Sequence, residues 1–112
     1  MIMATTPMNL ADVESYSDER PAAQSVLDHP ELGAKLIGFE PGQSLAPHHT
    51  EADAFFLVIK GQGSIAIGDE EHSVVEGDVI PAPAKIDHGI TNSGTERLSL
   101  LLVQSPNPFF CC

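Results

Sequence analysis

The segment from Gly77 to Asn92 reads GDVIPAPAKIDHGITN. A Gly-Asp turn leads into a short apolar strand that ends at Pro81, and a proline-rich bend follows, because proline has no N–H to give to a ladder. One histidine, His88, comes up on the next strand before Asn92 and Gly94 turn the chain again. Upstream, Gly42 to Gly61 reads GQSLAPHHTEADAFFLVIKG, a second histidine-bearing hairpin closed by glycines.

The pattern around these two segments is β throughout. AQSVLD and AKLIGFE are short apolar and β-branched runs separated by His29-Pro30-Glu31, and Pro30 interrupts any continuous strand there. SLAPHH, AFFLVI, SIAIG, EHSVV, DVIPA, DHGIT and RLSLLLV follow, most of them divided by Gly, Asp and Asn turn clusters. Many short strands without sustained helical periodicity predict an all-β sandwich or barrel. Phe55 to Ile59 is apolar on both faces, which implies that the outer side of the barrel is covered by a second sheet or by a partner subunit. The expected partition is an N-terminal leader and loop over 1–22, a β-barrel over 23–105 and a tail over 106–112. Met1 to Pro7 reads as a loose leader, and Glu14 to Pro21 as one helical turn or a loop. The tail SPNPFFCC reads as a segment lying across the barrel or on a neighbour.

The two histidine segments carry a spaced pattern. Gly42 is followed after five residues by His48, then His49 and Thr50, then after three residues by Ala54 and after six by Gly61. Gly77 is followed after five residues by Pro83, then Ala84 and Lys85, then after two residues by His88 and after three by Asn92. These spacings resemble the two motifs of the cupin superfamily, and the resemblance runs over about residues 34 to 103. It implies a double-stranded β-helix, a jelly-roll barrel of the RmlC-like kind, in a small single-domain cupin, and a homodimer.

In that family the pocket holds a divalent metal, Fe, Mn, Ni or Zn, on three histidines and a glutamate. The resemblance implies His48 and His88 at two of those positions; the other two hold Thr50, a weak neutral oxygen, and Ala54, which offers nothing. Strand parity places 48 and 50 on the same inward face, His49 outward, and 54 opposite them across the hairpin. Asp53 could complete a metal site with His48 and His88 if the hairpin slipped by one residue; Glu51 and His49 are further substitutes.

Three functions are therefore open. The first is binding of a small organic molecule in the barrel mouth, with His48 and His88 as polar anchors and Thr50 and Phe56 lining the pocket. The second is a metal-dependent oxygenase, isomerase or lyase. The third is a regulatory or structural module with a filled barrel. His72 reads as a surface residue, His29 as a turn residue, Lys85 as a solvated lysine, and Phe55 and Phe56 as core and interface packing.

Composition narrows the partners. The chain has 112 residues, enough for one core, and 42% of them are hydrophobic. Tryptophan is absent and there is one Tyr, so the core must be aliphatic plus Phe. Five Lys and Arg against sixteen Asp and Glu give a net charge of −11, which argues against nucleic acid and anionic membrane as partners. The start has no basic stretch leading into a long apolar one. The two cysteines, Cys111 and Cys112, are adjacent and read as an exposed tail, so a cytoplasmic location is expected.

Overall fold

The computed structural model describes residues 5–110. One helical turn and nine strands follow along the chain: α1 (Leu10–Val13), β1 (Ala22–His29), β2 (Leu32–Phe39), β3 (Ser44–His48), β4 (Asp53–Lys60), β5 (Gln62–Ile67), β6 (Glu70–Val75), β7 (Val79–Ala82), β8 (His88–Thr91) and β9 (Leu98–Ser105). They form two antiparallel sheets, a five-stranded one in the order β1-β2-β9-β4-β7 and a four-stranded one in the order β3-β8-β5-β6. From β2 to β9 the chain switches sheets at nearly every turn, which winds it into the expected double-stranded β-helix.

Alternation decides which side chains enter the core. Phe56 and Val58 on β4 lie opposite Leu102 and Leu100 on β9, and directly opposed residues share a face. These four, with Ile37 and Phe39 of β2, Ile80 of β7, Ile65 of β5, Val74 of β6 and Ile90 of β8, make one buried cluster between the sheets. The core is aliphatic plus Phe, as the composition requires. Gly61 begins the turn between β4 and β5 at φ +87°, and a Cβ there would collide with the Arg97 carbonyl oxygen. Only glycine meets both conditions.

The described segments before β1 and after β9 are both held against the barrel, the second as expected from its sequence, while residues 1–4 of the expected loose leader lie outside the described residues. The helical turn falls at Leu10–Val13, capped by the Asn9 side chain, and Glu14 to Pro21 is the loop. That loop docks on the barrel. The Glu14 carboxylate lies 2.6 Å from Lys60 Nζ, the Arg97 guanidinium sits 4.3 Å from the Tyr16 ring centre, and Gln43 Nε2 donates to the Ser17 carbonyl at 2.6 Å. At the other end Asn107 donates through Nδ2 to Asp28 and through its backbone N–H to the Pro30 carbonyl, which lays the tail across the β1–β2 hairpin. Cys111 and Cys112 lie outside the described residues.

The outward face of β4 is open. Phe55 is 38% exposed and Leu57 and Ile59 are half-buried, so no second layer among the described residues covers them. No helix among the described residues is long and apolar enough to cross a membrane.

Candidate functional site

A cavity of about 220 Å³ opens between the sheets. Leu45 and His48 of β3 and His88 and Ile90 of β8 form one side; Lys35 and Ile37 of β2, Leu102 of β9, Phe56 of β4, Ala23 and Pro21 close the other, with Phe109 of the tail at the rim. Local sequence puts the two histidines there. His48 and His88 are direct partners across β3 and β8, and a bulge lies between the Leu45–Ile90 and His48–His88 pairs. The extra residue falls at Ala46-Pro47, where proline has no N–H to pair. Without it, residues 45 and 48 would face opposite sides; with it, both face the cavity.

The imidazole rings meet edge to face, with centroids 4.7 Å apart, and the Phe56 ring stands 5.3 Å from that of His88 on its other flank. His48 Nδ1 is 3.2 Å from the Ala46 carbonyl oxygen. A carbonyl only accepts, so Nδ1 carries a proton in this contact. His88 is 3% exposed, and its Nδ1 has no hydrogen-bond partner among the described residues. Burial, and then the neighbouring His48, push the His88 pKa down; the Ile86 backbone and Asp87 work against this without cancelling it. His88 is therefore a neutral imidazole at pH 7, below a mostly apolar wall.

Of the four residues expected to line the pocket, His48, Phe56 and His88 come together, and Thr50 does not join them. The parity argument needs a strand through residue 50, but β3 ends at His48. Past that point the chain turns: the Thr50 hydroxyl accepts from the Ala52 N–H at 3.2 Å, and its carbonyl accepts from Lys85 N–H at 2.8 Å. Ala54 packs against the core without lining the cavity.

Asp53, the expected substitute metal ligand, is exposed, and its carboxylate accepts from the Ala84 N–H at 2.9 Å. It braces the turn that delivers His88. His49 points outward, as expected, 2.7 Å from the Asp87 carboxylate. Glu51 is exposed and 4.0 Å from Lys85 Nζ. His72 lines a separate surface groove with Glu70, and His29 accepts from Glu31 N–H in the β1–β2 turn. Among the described residues no three His, Cys, Asp or Glu side chains are grouped to hold a metal ion. The cavity offers two imidazoles and no carboxylate, which does not fit the three or four protein ligands that a divalent metal ordinarily takes.

Asn92, the last residue of the second motif, is structural. It is fully buried, its Nδ2 donates to the carbonyls of Phe39 and Glu96, and its Oδ1 accepts from Gly94 N–H. Two cavity residues escape a motif-based reading, Lys35 and Phe109. The signal for Lys35 is a single charge inside the apolar strand LGAKLIGF. Phe109 carries none, since a residue past the end of β9 has no face assigned by parity.

Comparison with known proteins agrees with this architecture. The Cupin domain family model matches residues 35–104. A solved structure from Thermus thermophilus superposes with a TM-score of 0.87 at 27% identity, over 91% of this chain and 98% of that one. An uncharacterized conserved protein with a double-stranded beta-helix domain from Klebsiella pneumoniae does so at 0.87 and 23% identity, over 96% of each chain. A vicilin-like seed storage protein of Arabidopsis thaliana is 34% identical over 80 residues; the match takes in 65% of this chain and spans only 16% of that protein's length. With the β-helix, the paired motifs and a family match over most of the barrel, the chain belongs to the cupin domain family.

Proposed function

We propose that this cupin barrel binds a small organic molecule in the cavity between its sheets, with His48 and His88 as the polar anchors and Phe56 as a wall. The observation that carries this reading is the buried His88 Nδ1 without a partner beside a mostly apolar cavity. A buried polar atom left unpaired costs about 1–3 kcal/mol, and a ligand polar group that the His88 ring turns to meet recovers that loss. The cavity, at about 220 Å³, is smaller than drug-sized pockets, so the ligand is small. The test is ring-nitrogen NMR of the full chain during titration with small organic compounds, before and after exhaustive chelation. Binding that moves the His88 signals, persists after chelation and weakens in His88→Ala is the expected result. Binding that needs added metal supports the metal-dependent enzyme instead, and the absence of any change at His48 or His88 removes the proposal.

We also propose that two copies pair through the outer face of the five-stranded sheet. Phe55, Leu57 and Ile59 of β4 share that face with Val79 of β7 and Leu101 and Val103 of β9, by the same register that turns Phe56 and Val58 inward. In a chain with a net charge of −11, an apolar face over three strands whose acidic residue on β4, Asp53, lies at the strand's end is matched best by another copy of itself.

A further inference from the structure

We propose that the cavity selects a small monocarboxylate with an apolar body, and that Lys35 is the residue that recognises its charge; this rests on the cavity being a ligand site. Lys35 lies on β2 opposite Leu102 of β9, and Leu102 faces the interior. The next inward positions of β2 are Ile37 and Phe39, both in the core. A lysine in that row enters the barrel mouth, and it is half-buried there and lines the cavity. No Asp or Glu lines the cavity with it.

The contrast with the other cations is informative. Lys60, Lys85 and Arg97 each have a carboxylate within 4.0 Å, and Arg20, which has none among the described residues, is exposed on the surface. The chain carries sixteen acidic residues, yet among the described residues Lys35 has none at that distance. Its ammonium instead stands 3.7 Å from the centre of the Phe109 ring, which also lines the cavity. An aromatic face is a weaker partner for an ammonium than a carboxylate is. A lysine that merely ran its stem along apolar surface would leave its head group in open water. Here the head group is kept at the rim, under a ring, facing a space with a net positive lining.

The rest of the cavity limits the anion to one charge. Lys35 is the one Lys or Arg in the lining, and the rest of the lining is imidazole, aromatic and aliphatic, so a second negative charge has no cation of its own there. Leu45, Ile37, Ile90 and Leu102 suit an apolar body. A single carboxylate on a short alkyl or aryl group suits this lining: its oxygens meet Lys35 and the His88 ring, and its body fills the space beside Phe56.

Paired probes test this. Benzoate and butyrate are compared with benzamide and butyramide, which share their shapes without the charge, by NMR titration of the full chain with the Ile90, Leu102 and His88 signals as readout. The acids are expected to bind at least about tenfold more tightly than their amides, the advantage of a charge-assisted hydrogen bond. Lys35→Met should remove that preference and Lys35→Arg should keep it, with circular dichroism confirming that both fold. Amides that bind as well as acids overturn the carboxylate assignment while leaving the cavity a ligand site. A preference that survives Lys35→Met overturns the role of Lys35. Probes that disturb none of the cavity signals count against both the carboxylate assignment and the ligand site, and the wild-type comparison needs no variant to be decisive.

Discussion

His48 and His88 are cross-strand partners whose rings meet edge to face at 4.7 Å, although they stand forty residues apart in the chain. The β3 bulge makes the pairing possible, and the pairing sets the chemistry. His88, the buried one, has its pKa lowered most by burial and next by His48.

Folding stability should therefore depend on pH through His88. Its folded pKa is below the unfolded value of 6.5, so in the interval between them the unfolded chain binds the extra proton. The contribution is full above about pH 6.5 and is lost as pH falls from the ordinary imidazole range through the lowered folded value. Urea unfolding from pH 8 to pH 5 should show a falling midpoint, with a shallower fall in His88→Phe. Equal slopes in the two proteins would exclude His88 as the source.

Asn92→Ala should cost about 3 kcal/mol, because three hydrogen bonds vanish and the buried Phe39 carbonyl loses a donor. Asn92→Asp should be nearly as damaging despite its shape, since a carboxylate cannot donate to the Phe39 and Glu96 carbonyls. Chemical denaturation of both variants measures this, and an Asp variant of wild-type stability would contradict it.

Lys85 holds φ +68° in the turn closed by Ile86 N–H on the Pro83 carbonyl, a conformation that glycine adopts freely. Lys85→Gly should raise stability by up to about 1 kcal/mol, the relief of the left-handed backbone less the added flexibility of the unfolded chain. Lys85→Val should lower it by about 1–2 kcal/mol. Thermal melts that rank the three in any other order would count against strain at this turn.

Leu57→Glu puts a charge in the middle of the proposed dimer face without touching the core. Sedimentation equilibrium at micromolar concentration should give a dimer for the wild type and a monomer for the variant, with cavity binding retained. A monomeric wild type would leave the face without the proposed partner.

The β-helix was legible in the sequence because its evidence is local. Alternation in SIAIG and EHSVV, glycine turns at Gly61 and Gly77, and two motifs in register each depend on neighbours within a few residues. His48, His88 and Phe56 could be assigned to one pocket for the same reason, since each sits inside a motif or a strand whose parity holds. Thr50 and Asp53 went astray where parity stopped: β3 ends at His48, and the backbone beyond it is shaped by the Lys85 N–H on the Thr50 carbonyl and the Ala84 N–H on Asp53. Those contacts join residues more than thirty apart, and no local pattern encodes them. Lys35 and Phe109 were beyond reach for a related reason. A lysine on a strand becomes a cavity residue only once β9 fixes which face is inward, and a phenylalanine in a tail becomes a rim only once Asn107 has anchored that tail to the β1–β2 hairpin. Local alternation and turn chemistry thus determined the strands and their inward rows, while the meeting of distant segments decided which polar groups share the cavity.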